Sequence, residues 1–222
     1  MRPSLIAPAF LTALAAAALL PVTASAVEPD FAGVRASTLG LGAEFGLKLN
    51  DHVTVRALAN SYNYNYDTTS DDIHYDGKLK LGSFGAQVDY RFVADGPLYV
   101  TAGLYANDNN IRAHARPTQD TDVGGVTFTP TQIGTLTSDA KFKDTAPYLG
   151  IGARWPVGVV EINLEAGAYF QGKPKVTLTS DGTYANNSTY QEALERERQN
   201  LQNDVDDFST YPVVALGLRY KF

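Results

Sequence analysis

Two-residue alternation of apolar with polar or small side chains marks most of this chain. In residues 39–49 the odd positions are Leu39, Leu41, Ala43, Phe45, Leu47 and Leu49; Gly40, Gly42, Glu44, Gly46 and Lys48 lie between them. Residues 160–171 set Val160, Ile162, Leu164, Ala166, Ala168 and Phe170 against Glu161, Asn163, Glu165, Gly167, Tyr169 and Gln171. Residues 98–106, 148–155 and 211–222 repeat the pattern, the last ending Leu216, Leu218, Tyr220, Phe222 on its apolar face. A period of two means strands with one apolar face and one polar face. Two further strands are less regular. In 53–66 the apolar parity changes after Ala59, and in 73–92 Leu79 and Leu81 oppose Phe84, Ala86, Val88, Tyr90 and Phe92. A bulge near Gly82-Ser83 is the expected repair.

The connections are unequal. Asn50-Asp51, 93–97 and Pro156-Val157-Gly158 are short, and they alternate with long ones at 67–72, about 108–144 and about 172–208. Alternating strands with short turns at one end and long loops at the other describe a transmembrane antiparallel up-and-down β-barrel. Seven strands are plain, and an even count is expected. Residues 31–38 are the candidate eighth strand, and Lys175–Ser180 is the alternative. Aromatic residues gather near both strand ends and predict interfacial girdles. Tyr90, Phe92, Tyr99, Trp155, Tyr220 and Phe222 lie towards the short turns; Tyr62, Tyr64, Tyr66, Tyr105, Tyr148, Phe170 and Tyr211 lie towards the long loops.

One helix is predicted in the last long loop. Thr189 to Glu192 fits a capping box, and Leu194, Leu201 and Val205 form a stripe. Glu192 and Arg196 are spaced to pair.

Composition narrows the picture. The 222 residues contain no cysteine, which removes disulfides and thiol chemistry. With 18 basic and 24 acidic residues the net charge is −6, so nucleic acid is not an expected partner. Arg2, the apolar run 5–20 and Ala24-Ser25-Ala26 read as a signal peptide over 1–26, cleaved after Ala26, with a barrel domain over 27–222.

The alternating strands, the Asn50-Asp51 turn and the ending Gly217-Leu218-Arg219-Tyr220-Lys221-Phe222 resemble small proteobacterial outer-membrane barrels of the OmpA, OmpX and OmpW group. The resemblance implies an outer-membrane location amid lipid and lipopolysaccharide. It also implies that Leu216, Leu218, Tyr220 and Phe222 are read by the barrel-assembly machinery. Because the sequence ends at its last strand, no peptidoglycan-binding domain of the kind that follows the OmpA barrel is expected.

The inward parity carries charges of both signs: Glu44, Asp89, Glu161 and Glu165 against Arg56, Arg91, Arg154 and Arg219, with Lys78 and Lys80 as further candidates. Eight strands leave room only for their own side chains, so a paired plug is expected, with a narrow solute channel as the alternative. A lipid-active enzyme is the third reading. It rests on His74 beside Ser70, Asp71, Asp72 and Asp76, a weak grouping because catalytic sets are recognised by geometry. Acidic Asp71-Asp72 and Asp204, Asp206, Asp207 offer oxygen ligands for divalent cations, although a solvated acidic edge is the commoner outcome. No cofactor is expected. A structural or surface role through the long loops, with an unidentified ligand there, is the leading expectation.

Overall fold

The computed structural model describes residues 27–70 and 73–222. The signal-peptide residues, including Ala24 and Ala26, lie outside them, as do Asp71 and Asp72. In chain order the strands are β1 (Glu28–Ser37), β2 (Gly40–Lys48), β3 (Val53–Ser70), β4 (Ile73–Arg91), β5 (Leu98–Asn107), β6 (Asn110–Pro117), β7 (Thr121–Val123), β8 (Val126–Phe128), β9 (Leu136–Lys141), β10 (Thr145–Val157), β11 (Val160–Tyr169), β12 (Lys175–Ser180) and β13 (Tyr211–Lys221). Helix α1 (Pro130–Ile133) precedes β9, and α2 (Ser188–Val205) lies between β12 and β13.

Eight strands close a ring, each antiparallel to two neighbours: β1, β2, β3, β4, β5, β10, β11 and β13, with β13 returning to β1. Closure leaves no unpaired edge within the ring. The eighth strand is β1, the expected 31–38 segment extended to Glu28. The alternative, Lys175–Ser180, is also a strand but stands outside the ring as β12.

The ring is inverted relative to a water-soluble domain. Leu41 (69% accessible) and Ile151 (65%) face outward, while Arg56 (0%) and Glu165 (1%) face inward. Charges are ordinarily outside and aliphatic chains inside.

Strands β3 and β4 run 18 and 19 residues, about 60 Å at roughly 3.3 Å per residue, and so outrun the ring. Their pairing keeps one register from Val53↔Tyr90 to Ser70↔Ile73, so the expected bulge at Gly82-Ser83 is absent. The apparent phase change has another cause. Above Ser83, β4 exchanges β5 for β6, and the same odd-numbered face that holds polar groups inside the ring becomes the apolar face of a cap. Lys78 and Lys80 therefore share the outward parity of Phe84 and Val88 and are not interior charges.

The cap is a sheet in the order β3-β4-β6-β9-β12. Val123, Phe128, Ile133, Tyr190, Ala193 and Leu194 form its core, with Val126, Leu136 and Leu178 against them. Helix α2 thus packs on the cap sheet and the β7-β8 hairpin. Its N-cap is Asn187, whose side chain accepts from the Tyr190 amide, and not Thr189 as the capping box suggested. The shorter Asx link wins because Asn187 already has the extended backbone an N-cap needs. Arg196 donates to the Gly124 carbonyl instead of pairing with Glu192, and Arg198 takes Glu195. The far edge of β12 is covered by the helix: Gln202 accepts from the Val176 amide and donates to the Pro174 carbonyl.

Candidate functional site

Within the ring, alternation aims every second side chain at the axis, and glycines clear the space these chains occupy. A Cβ added at Gly152 would stand 2.1 Å from Tyr99 Cζ, and one at Gly167 would stand 2.4 Å from the Tyr148 hydroxyl. The large inward residues need those vacancies.

The short-turn half of the interior is ionic. Arg56 donates to Glu44 Oε2 at 3.0 Å, to Asp89 Oδ1 at 3.0 Å and to Glu165. Arg219 grips Glu44 with two nitrogens, at 2.6 and 3.2 Å, and reaches Glu161 at 3.2 Å. Its guanidinium lies 4.2 Å above the Phe31 ring. Arg154 stands 3.6 Å from Glu161, and Arg35 3.5 Å from Glu165. Glu165 also accepts from the Tyr99 and Tyr148 hydroxyls, each at 2.9 Å. Four carboxylates thus face four guanidiniums, of which Arg56 and Arg219 hold theirs by multiple hydrogen bonds and Arg35 and Arg154 by ion pairs alone. Buried charge is tolerated only when paired in this way. Arg91 is inward but stands apart from this set: it donates to the Asp51 and Asn50 carbonyls and closes the β2–β3 turn. The void between Phe31, Thr54, Asp89, Arg91, Tyr99, Arg154 and Arg219 is about 10 Å³, room for at most one water.

The long-loop half is apolar. Leu39, Leu58, Tyr105, Ala146, Tyr148, Tyr169 and Val213 pack as one buried layer, with Tyr211 against it. Tyr105 meets Tyr169 edge-on at 5.4 Å. Above this layer Asn109 bonds Gln171, whose side chain bonds the Phe208 carbonyl, so the cap is tied across the mouth.

No protein-family model matches the chain, and no curated protein matches it. Solved structures do match. CarO of Acinetobacter baumannii superposes with a TM-score of 0.59 and 22% identity, covering 87% of this chain and 98% of that one. CarO2 of the same organism gives 0.61 and 21%, covering 89% and 100%. The fold is that of outer-membrane β-barrel proteins. A major outer membrane protein from Thermus thermophilus also matches, at a TM-score of 0.40 and 12% identity over 89% and 100%. At these identities the likeness is one of fold.

On that barrel the predicted residues fall as follows. Glu44, Arg56, Asp89, Glu161, Glu165, Arg154 and Arg219 meet in one network; Arg91 lies beside it. Leu216, Leu218 and Tyr220 are exposed on the outer face of β13, and Phe222, just past its end, is exposed beside them. Tyr90, Phe92, Trp155, Tyr220 and Phe222 form an exposed belt at the short-turn end. Tyr99, Tyr105 and Tyr148, expected in the girdles, are buried inside instead. Their even spacing from glycines (Tyr148 two residues before Gly150, Tyr105 two after Gly103) was the available signal, since small inward positions beside them leave ring-sized space. Tyr62, Tyr64 and Tyr66 continue the inward parity of Leu58 and Asn60 above the ring, so they too leave the outward girdle. Arg35 was missed, although Val34 and Ala36 on the opposite face already give it the inward parity.

Of the grouping around His74, Asp71, Asp72 and the Ser70 side chain lie outside the described residues, and among the described residues His74 does not sit in a buried site. Its Nδ1 lies 3.2 Å from the Thr69 hydroxyl and its Nε2 3.7 Å from Asp67, all on an exposed hairpin. Asp206 is taken by Lys173 at 2.6 Å and by Gln202 at 2.8 Å. These hydrogen bonds hold its carboxyl below the usual aspartate range. Among the described residues no cluster of three or more metal-ligating side chains occurs.

Proposed function

We propose that this protein is an integral, non-enzymatic outer-membrane β-barrel whose interior is sealed and whose working part is the folded cap. The observation that carries the reading is the combination of an apolar exterior with an interior of clustered arginine–carboxylate ion pairs. An apolar band around a closed ring needs a hydrocarbon solvent, and closure satisfies every ring backbone group there. The balanced arginine–carboxylate set and the tyrosine layer above it leave no continuous water path. The long loops fold into a sheet with its own core, which is what a surface for partner recognition requires.

The same reading sets the cap outside the cell and the belt of Tyr90, Phe92, Trp155, Tyr220 and Phe222 at the periplasmic interface. It makes outer-membrane lipid and lipopolysaccharide the surroundings. It also makes Leu216, Leu218, Tyr220 and Phe222 an exposed end strand available to the assembly machinery.

Conductance tests the proposal. The protein lacking residues 1–26, refolded and inserted in a planar bilayer, is expected to be silent while proteolysis of the cap shows that it has inserted. Steady unitary openings would overturn the sealed interior and make the protein a small-solute channel.

A further inference from the structure

The polar face of the cap sheet is sorted by height. Cross-strand register defines its rows. The row nearest the ring reads Asn63, Lys80, Asn110, Lys141, Lys175; the next reads Asn65, Lys78, Arg112, Asp139, Thr177. The third holds Asp67, Asp76, His114, Thr137 and Thr179. Five cations therefore occupy the two lower rows, and the directly opposed acids Asp67 and Asp76 come only above them.

This sorting occurs in a chain that is acidic overall, with a net charge of −6. It also carries a local cost. Lys141 faces Lys175 directly across the ladder, and Lys78 faces Arg112. Like charges directly opposed destabilise a sheet. Two carboxylates offset part of this: Asp139 takes Arg112 at 2.5 and 2.8 Å, and Asp108 takes Lys80 at 2.5 Å. Partial burial pushes the Asp139 carboxyl up, but hydrogen bonds from Arg112 and Asn110 and the charges of Arg112 and Lys141 outweigh it and hold it down. Among the described residues no ion pair joins Lys78, Lys141 or Lys175 to a carboxylate, and all three are exposed.

Position supplies the ligand. Lys80 shares its face of β4 with the outward Phe84, four residues or about 13 Å away along the strand. The cationic rows thus begin where the apolar band ends, at headgroup height in the outer leaflet. We propose that Lys80, Lys141, Lys175, Lys78 and Arg112 form a docking face for the phosphate groups of a phosphorylated glycolipid of that leaflet. The inference rests on the membrane reading above and adds a specific lipid partner to it. Adjacent strands lie about 4.8 Å apart, so Lys141 and Lys175 can close on one phosphate while Lys80, two strands away, meets a second. The bound phosphates neutralise the repulsion that the empty face carries.

The test uses the folded protein in detergent micelles, with lipid A carrying both phosphates and the same lipid enzymatically dephosphorylated as probes, scored by native mass spectrometry. Wild type is expected to bind the phosphorylated lipid at least tenfold more tightly. Each basic residue at an anionic surface is worth about fivefold, so Lys141→Gln/Lys175→Gln is expected to bind about 25-fold more weakly. Arg198→Gln, on α2 and held by Glu195, is expected to bind as wild type does. Lys141→Gln alone is expected to make the cap more resistant to unfolding in lipid-free micelles, because it relieves the Lys141–Lys175 repulsion. Equal affinity for the two lipids, or a double variant that binds like wild type, overturns the inference. Failure of wild type to insert into phosphatidylcholine vesicles, which hold no phosphorylated glycolipid and only zwitterionic headgroups, overturns the membrane reading instead.

Discussion

Tyr99 occupies the space that Gly152 leaves on the facing strand β10, and from there its hydroxyl donates to Glu165 at 2.9 Å and accepts from Asn163 at 2.7 Å. A backbone position without a side chain thus decides where a buried carboxylate finds a neutral donor.

Gly152→Ala is expected to displace Tyr99, since the added methyl would lie 2.1 Å from its ring. Overpacking of this kind costs roughly 1–3 kcal/mol. Reversible urea unfolding from lipid vesicles should show that loss. A midpoint equal to wild type would mean that the ring slides aside freely and that the fit is loose.

Removing one charge from the interior should cost more. Glu165→Gln leaves Arg56 and Arg35 short of a carboxylate, and breaking a buried pair on one side costs roughly 3–5 kcal/mol. The same unfolding assay is expected to rank Glu165→Gln below Gly152→Ala. The reverse order would place water around Glu165.

At the N-terminus of α2, Asn187→Ala removes the side chain that caps the Tyr190 amide and should cost about 1 kcal/mol, confined to the helix. Thr189→Ala should be close to neutral. Hydrogen exchange at residues 190–194 reads the difference; faster exchange in the Thr189 variant alone would restore the capping box.

Glu195 on α2 accepts from Arg198 at 2.7 Å and from Gln199 at 3.0 Å, and these donors lower its carboxyl to about 2. A lowered carboxyl stabilises the fold above its unfolded value, near 4.3, and that contribution is lost only as pH falls towards 2. Carboxyl NMR on the folded protein is expected to find Glu195 still ionised at pH 3. A midpoint near 4.3 would show that the pair does not persist in solution.

Much of the barrel was legible along the chain. Leu41, Ala43 and Phe45 against Glu44 and Gly46 fix which side of β2 is apolar, because side chains alternate on any strand. Arg56, Glu44 and Glu165 were readable as interior by parity alone. Their partners were not. Arg91 has the same parity as Asp89, yet it bonds turn carbonyls, because its place at the ring's end brings Asn50 and Asp51 within reach. The direction of Tyr99 depended on a gap on another strand. Lys78 and Lys80 misled for a related reason: the parity of β4 never changes, but above Ser83 its neighbour does, and the apolar face changes from outward to inward with it.

The sequence by itself determined the eight strands of the ring, their apolar and polar faces and the charges available to the interior, since these follow from local periodicity and composition; β6 to β9 lie in the stretch that read as one long loop. Tertiary structure alone decided which strands close the ring and which leave it for the cap. It also decided which arginine meets which carboxylate, and that five cations far apart in sequence share two rows of one face. Those outcomes depend on cross-strand register, a relation between distant segments that no single stretch of chain encodes.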